Sequence, residues 1–463
     1  MKTIFIPIYH GLQSVNILQT DAIHVLLSEP DTRVVVFCRP TKIAYYKERF
    51  KGYPNLVFES FVFELETTFI ERILKFIGSN LLDTWDVYYL QRRRLMSIGK
   101  PFRYCAARVV SKILGNAKIL RRLYRALDLR LNQRQVFGKY FEKYQPHVVF
   151  ASDVLGVNDT IMLREAKKRC VFTIAMVRSW DNLTSKGVVR VQPDFLLVQT
   201  PRMFEEAVRL ADMEPSHLEI VGVPSFDHYN GFVPDDPLLI SKILSLSPGR
   251  PFILFSPLFE HYTESTVSIL KYLETKINDG ALPKELAVLV RYPPSYTSRK
   301  LDEFDGSKCI FFYQPGEHFP DTKTRFDWEF TKDDMRILAN TIYHSKVTVN
   351  FVSTLTIESA VLDHPVVNIA FETMLHPSVN NSLRMLFKQQ HIVPLLEIGG
   401  SKLAESYDEL ISHINSYLLD PTQDALGRKK IVEEYVPMFD GGTGRRIGKV
   451  ILDRANKVPP RNV

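Results

Sequence analysis

A chain of 463 residues is too long for one hydrophobic core and suits two or three domains. Hydrophobic residues make up 45% and charged residues 24%, which excludes disordered, collagenous and low-complexity classes. The formal net charge of +7 is concentrated in one place: residues 91–140 hold 14 Lys or Arg against one acid, Asp128, so this segment carries +13 and the rest −6. A local basic block in an otherwise slightly acidic chain points to one cationic face meeting a polyanion, and a nucleic-acid binder more often spreads its charge through the fold. No apolar run approaches the roughly 18 residues of a membrane-spanning helix. The start of the chain, Ile4, Phe5, Ile6, Pro7 and Ile8, reads as a strand rather than a signal peptide. Four scattered cysteines (Cys38, Cys105, Cys170, Cys309) have neither metal-ligand spacing nor a disulfide framework. The expectation is a cytoplasmic protein with no metal and no cofactor.

Short β-rich runs alternate with helical patterns almost from end to end, the signature of parallel sheets covered by helices. In the first half, strands are expected over 3–8, 34–37, 56–59, 148–152, 172–177, 195–198 and 220–223, with helices such as 19–27 and 159–168 between them. A helical insertion is expected over 60–143. Within it Ile119, Leu123, Leu127 and Leu131 recur at spacing four, while Arg121, Arg122 and Arg125 occupy other sides. Two readings stand: a core-packing helix with a solvated basic face, or attachment to an anionic membrane surface through 91–134. After the Pro- and Asp-containing linker 231–237, further strands are expected over 252–255, 287–290, 310–313, 347–350 and 366–369, with helices at 264–277, 331–344, 355–362 and 402–418. The fold class is therefore α/β: two Rossmann-like, doubly wound domains facing across a cleft, spanning 1–230 and 238–440. The segment 441–463 forms a helix returning toward the first domain.

Ligand crevices in such folds lie at the carboxyl ends of the strands, and several polar motifs fall there. Ser353, Thr354 and Thr356 follow the strand 347–350 and open a helix, offering hydroxyls and N–H groups to an anion, and Glu358 one turn on suits ribose hydroxyls. The plain alternative is Ser353 as an N-cap and Glu358 as a solvated acid. Arg291 ends the strand 287–290 and could pair with a phosphate. Ser256 and His261 lie in the loop after 252–255. Gly441, Gly442 and Gly444 precede the last helix and would let amides approach a phosphate.

In the first half, Trp180, Asp181, Asn182, Thr184 and Lys186 form a polar loop after the strand 172–177. Asp227 ends the domain. His10 and Asp153 close the first and fourth strands, with Asn16 expected to begin the next helix.

The run from Trp180 to Gly187, the run from Val221 to Asp227, and the run from Ser353 to Glu358 together resemble GT-B nucleotide-sugar glycosyltransferases of bacterial surface-carbohydrate type, related to CDP-glycerol glycerophosphotransferase-like proteins. The resemblance spans both halves and omits the insertion. It implies a donor nucleotide on the C-terminal domain, with Ser353 and Thr354 on its phosphates and Glu358 on its ribose, and an acceptor on the N-terminal domain.

The expected reaction moves a sugar from a nucleotide-sugar donor to a cell-surface polysaccharide or lipid-linked glycan. Arg291, the amides at Ser353 and the terminal glycines stand in for a metal, since no Asp-x-Asp ends a strand. Trp180, Asn182, Thr184, Lys186 and Asp227 are expected on the acceptor. His10 and Asp153, then Asp181, are the candidates for a base. The alternatives are a CDP-polyol phosphotransferase of teichoic-acid type and a nucleotide-sugar 2-epimerase. An RNA-binding module lacks a recognition signature. The expected location is the cytoplasm, peripheral at the inner face of the cell membrane.

Overall fold

The computed structural model describes residues 1–61, 68–96, 99–258, 260–296, 299–319, 328–373 and 382–458. The chain divides into two compact units. The first comprises Met1–Asp227 with the last segment from Met438, and the second His228–His318 with the residues from Trp328 to Pro437.

The first unit is built on a seven-stranded sheet. Its strands are β1 (Lys2–Pro7), β2 (Thr32–Cys38), β3 (Leu56–Ser60), β4 (Val148–Ala151), β5 (Phe172–Met176), β6 (Phe195–Val198) and β7 (Leu218–Ile220). All pair in parallel, in the order β3-β2-β1-β4-β5-β6-β7. Continuous runs of Val, Ile and Phe suit strands buried on both faces. On β1 the alternation divides the core: Ile4 and Ile6 pack with Val34, Val36 and Phe150 on one face, and Phe5 packs with Val35, Phe37 and Val149 on the other. The strand order reverses between β1 and β4, and such a switch point opens a crevice at the carboxyl ends of the strands.

The second unit repeats the plan. Strands β8 (Phe252–Ser256), β9 (Ala287–Arg291), β10 (Ile310–Tyr313), β13 (Thr348–Asn350), β14 (Val366–Ile369) and β15 (Lys402–Ala404) form a parallel sheet in the order β10-β9-β8-β13-β14-β15. Its switch point lies between β8 and β13. A small antiparallel pair, β11 (Glu317–His318) with β12 (Trp328–Glu329), stands apart. Two Rossmann-like α/β units are thus present. Neither β15 nor the small pair is expected from the sequence, and the helix expected from 402 starts at Tyr407, because Ser406 caps it by accepting from the Glu409 N–H. The last strand of the first sheet is Leu218–Ile220, two residues earlier than its apolar pattern suggests.

The insertion between β3 and β4 holds the helices Phe69–Asn80, Trp85–Gln91, Pro101–Val109, Lys118–Leu131 and Gly138–Tyr144. Lys118–Leu131 corrects the core-packing reading, because it is turned inside out. Ile119, Leu123, Leu127 and Leu131 are 70%, 54%, 43% and 46% exposed, while Arg121, Tyr124, Arg125 and Asp128 are buried. Long-range ion pairs force this orientation. Asp212 accepts from Arg121 Nε at 2.9 Å and Arg125 Nη1 at 2.7 Å. Asp128 accepts from Arg164 at 2.8 Å and Arg190 at 2.6 Å. Further guanidinium hydrogens of Arg121 and Arg125 go to the carbonyls of Gly115 and Val189, so the charges around Asp212 are met on several sides.

Removing one partner of a buried pair strands the other charge. Asp212→Ala is therefore expected to destabilise the first unit by about 3–5 kcal/mol, whereas Leu123→Gln on the exposed stripe should stay within about 0.5 kcal/mol. Denaturant midpoints measure both, and the opposite ranking would restore a core-packing helix.

Candidate functional site

Each unit carries a polar cluster at its switch point. In the first, His10 caps the helix Gly11–Ile17, which begins earlier than expected and holds Asn16 near its end. The Nδ1 atom of His10 accepts from the Leu12 N–H at 3.2 Å. Gln13 reaches back to accept from the Tyr9 and His10 amides at 2.8 and 3.0 Å, and its own amide donates to Asp159 at 3.1 Å. Asp159 in turn accepts from the Asp153 N–H at 3.1 Å. Asp153 pairs with Arg178 at 2.8 Å and accepts from the Leu155 N–H at 3.2 Å. This chain of bonds ties together the loops after β1, β4 and β5.

The electrostatics follow from burial. Burial, then the Arg178 charge, lowers the His10 pKa to about 3. The ring is neutral, and because Nδ1 accepts, its proton sits on Nε2. Nδ1 is thus committed to the cap of the helix Gly11–Ile17. Burial and the neighbouring Asp153 hold the Asp159 carboxyl far above the ordinary range. Burial lowers Lys186, against the pull of Asp153 and Asp181.

The loop after β5 forms the short helix Asn182–Ser185. Asn182 is 1% exposed, and neither its Oδ1 nor its Nδ2 has a hydrogen-bond partner among the described residues. Such a side chain costs free energy unless something polar meets it. Thr184 is spent locally, donating to the Asp181 carbonyl at 3.2 Å, while its own carbonyl accepts from Thr84 at 2.7 Å. Asp181 and Lys186 are half-buried. Trp180 packs against the core beneath.

Asp227 and the terminal glycines find each other. The Asp227 carboxylate accepts from the Thr443 and Gly444 amides at 3.2 and 2.8 Å, capping the helix Thr443–Lys457, and the Gly442 N–H donates to Asp440 at 2.9 Å. Gly441, Gly442 and Gly444 therefore lie in the first unit beside carboxylates, with the Gly442 and Gly444 amides already committed. Asp227 is likewise committed to the cap. Gly444 is required for packing, since a Cβ there would stand 2.7 Å from the Asp21 nitrogen on the crossing helix Asp21–Leu27.

In the second unit, Arg291 ends β9, and its Nε and Nη2 are buried with no hydrogen-bond partner among the described residues. Burial works against its charge, and Glu358 and Tyr229 support it. Glu358, on the helix Thr354–Val361, is pushed up to about 7 by burial, with Arg291 opposing. No ion pair joins Arg291 and Glu358 among the described residues. Burial and Glu358 hold the Tyr229 phenol above its ordinary range.

Ser353 caps the same helix, accepting from the Leu355 N–H at 3.2 Å, and Thr354 is exposed. The preceding Val352 has φ of 53°, a costly conformation for a β-branched residue that fixes the strand-to-helix turn. Thr356 turns inward, between Asn350 at 3.3 Å and Asn368 at 3.1 Å, so its hydroxyl serves the fold instead of the helix mouth. Ser256 ends β8 beside Asn350, half-buried. The His261 side chain lies outside the described residues.

The structure thus brings Arg291, Glu358 and Ser353 to one end of the second sheet. His10, Asp153, Asp181 and Lys186 share one field in the first. Sequence reasoning missed Gln13, Asp159 and Tyr229. For Gln13 a signal was present, three residues after the His10 cap in capping-box register. For Tyr229 there was none.

No family model and no curated protein matches the sequence. Solved structures do. The UDP-bound S. aureus MnaA aligns at a TM-score of 0.54 and 12% identity over 100% of both chains. A UDP-GlcNAc 2-epimerase from Neisseria meningitidis bound to UDP-GlcNAc aligns at 0.52 and 10% identity, covering 98% of this chain and 100% of that one. A glycosyltransferase from Rickettsia africae aligns at 0.50 and 9% identity, over 99% of each. The two Rossmann-like units are therefore of the GT-B class of fold.

His10 is expected to remain neutral down to about pH 4. Its imidazole resonances, assigned with a His10→Gln comparison, should not titrate near neutrality. A midpoint between about 6 and 7 would mean that the ring is open to water and uncapped.

Proposed function

We propose that this chain uses a nucleotide-sugar donor and transfers the sugar to a hydroxyl of a polysaccharide or lipid-linked glycan. The observation that carries the reading is Arg291: a buried guanidinium with open hydrogen-bond positions, beside a carboxyl poised near neutrality, at the carboxyl end of a parallel sheet. A diphosphate leaving group fills those positions and meets the charge that burial disfavours. The Glu358 carboxylate then accepts from ribose hydroxyls. In the first unit, Asn182 and the Nε2–H of His10 hold acceptor hydroxyls, and Asp153 or Asp181 takes the acceptor proton.

A second reading, epimerisation of the nucleotide sugar itself, is favoured by the carboxyl pair Asp153 and Asp159. One is ion-paired and the other is held protonated near neutrality, the split that acid/base chemistry uses. Consumption of donor without any acceptor distinguishes it. A thermal-shift panel of UDP, GDP, CDP, CMP and TDP identifies the nucleotide, and binding by CMP and CDP alone would favour polyol-phosphate transfer.

The inverted helix supports a membrane-proximal acceptor. Beside its exposed stripe of Ile119, Leu123, Leu127 and Leu131 run the exposed cations Lys118, Arg122 and Arg130, and the helix's one acid is buried. Such a surface lies on anionic lipid with its apolar side chains down and its cations at the headgroups. No helix among the described residues is long and apolar enough to cross a membrane.

Three outcomes test these readings. Arg291→Ala should weaken nucleoside diphosphate binding by about 10- to 100-fold, the worth of a charged hydrogen bond. Unchanged affinity would sink the phosphate role. Ribose hydroxyls donate to the ionised Glu358, so binding lowers that carboxyl's pKa. Affinity should therefore rise as pH climbs through about 7 and then level, and Glu358→Gln should flatten the profile. Finally, phosphatidylglycerol vesicles should bind the chain in a salt-sensitive manner that Leu123→Glu with Leu127→Glu abolishes, while equal binding to neutral vesicles would exclude the electrostatic component.

A further inference from the structure

The insertion borders a half-open space of about 540 Å³ between its own helices and the segments after β4 and β5 of the first sheet. Six cations reach it: Arg72, Lys75, Arg94, Arg103, Lys186 and Arg190, and no carboxylate among the described residues lines it. Arg190 is answered by Asp128 at 2.6 Å. The other five make no ion pair among the described residues, and Arg103 lies over the Phe76 ring at 5.5 Å. Four like charges without an ion pair, Arg72, Lys75, Arg94 and Arg103, thus gather at the exposed mouth of one small space, with Lys186 within, and a bound polyanion relieves their mutual repulsion.

The walls are held in place rather than merely adjacent. The Val188 N–H donates to the Gly78 carbonyl at 3.0 Å. Gly187 has φ of 85°, and a Cβ there would stand 2.5 Å from the Gly78 oxygen, so the loop after β5 presses on the helix Phe69–Asn80 as closely as backbone allows. On the far side, Gln91 donates to Asn80 at 2.9 Å and accepts from Arg108 at 3.1 Å. Phe76, Val87 and Leu90 add an apolar wall. A volume of this size suits a small ligand, and it does not suit a groove that tracks a polymer backbone.

We propose that this cavity binds a small ligand carrying two or more phosphates, gripped by Arg72, Lys75, Arg94 and Arg103 at the mouth and by Lys186 within. Arginine forks meet phosphate oxygens in pairs, and a diphosphate offers enough oxygens for several at once. Lys186 belongs both to this cavity and to the field of Asp153 and Asp181, so an anion held here leaves the rest of its molecule beside the polar cluster at the β1/β4 switch point. The apolar wall takes a non-polar portion of the ligand. The proposal rests on the first unit alone and stands whether or not Arg291 holds a nucleotide.

Calorimetric titration of the full chain tests it in two arms: inorganic pyrophosphate in solution, and farnesyl diphosphate carried in phosphatidylcholine vesicles against vesicles without it. The wild-type chain is expected to bind pyrophosphate, with affinity falling as salt rises. Lys75→Glu with Arg103→Glu, both at exposed positions, should weaken it at least about tenfold without moving Tm. Lys430→Glu, exposed in the second unit, should leave it unchanged. Tighter binding in the vesicle arm assigns the diphosphate to a lipid, and equal binding assigns it to a soluble ligand. No binding by the folded wild-type chain overturns the proposal. So does a loss seen in Arg291→Ala and absent from the cavity variant, which places the anion in the second unit.

Discussion

Two buried carboxylates, Asp212 and Asp128, organise the first unit beyond its sheet. Each is held by two arginines, and between them they turn the helix Lys118–Leu131 so that its charges point inward. Everything distinctive about the insertion follows from that rotation. With Arg121 and Arg125 drawn to Asp212, the helix lies against the segment after β5, where Arg125 also donates to the Val189 carbonyl at 2.8 Å. With its ionic side committed, its aliphatic side faces out. The Tyr124 hydroxyl, carried inward by the same rotation, donates to the Leu74 carbonyl at 2.8 Å and sits where a Cβ on Gly78 would stand 2.2 Å away. Only glycine lets the helix Phe69–Asn80 approach so closely. One ionic choice thereby sets the positions of two helices, Lys118–Leu131 and Phe69–Asn80, against one another.

Buried polar groups are met to different degrees in different parts of the chain. Around Asp212 and Asp128 each carboxylate meets two guanidinium groups, which offsets the cost of desolvation even though the Nε atoms of Arg164 and Arg190 are buried without a partner among the described residues. At Arg291 and Asn182 polar atoms are buried and unmet among the described residues. A folded chain tolerates such groups where a ligand completes them, because the free energy lost on folding is recovered on binding. Proximity to a strand end is weaker as an indicator: Asp227 and Thr356 both stand near strand ends, and both prove fully occupied with holding the fold.

Much of the fold was legible because parallel strands buried on both faces read as unbroken Val, Ile and Phe runs, and the strand boundaries then put His10, Asp153, Arg291 and Ser353 at or just beyond the carboxyl ends of strands. Legibility failed where the deciding contact was distant. The spacing of Ile119, Leu123, Leu127 and Leu131 correctly marks a helix, but which face turns inward depends on Asp212, 91 positions beyond Arg121. Periodicity cannot see that. The short strand Lys402–Ala404 offers three residues, one of them a lysine whose ammonium is held by Ser416 and Gln423, so no apolar run announces it. The glycines at 441–444 carried a real signal with an ambiguous cause. Close approach was correctly implied, and the approaching group proved to be a crossing helix and a carboxylate within the first unit.

Why the insertion should be ionic inside at all is the remaining physical question. A buried ion pair is seldom more stabilising than well-packed hydrocarbons of the same volume, so stability alone does not favour arginine and aspartate over leucine at these positions. Exchanging the two faces of Lys118–Leu131 would bury four aliphatic side chains and gain roughly 1.5–3 kcal/mol for each that was fully enclosed. The chain forgoes that gain. What it keeps is an aliphatic stripe facing outward beside Lys118, Arg122 and Arg130. The ionic core is thus what allows this helix to present an apolar, cationic outer surface, which a conventional amphipathic helix, with its apolar face in the core, could not supply.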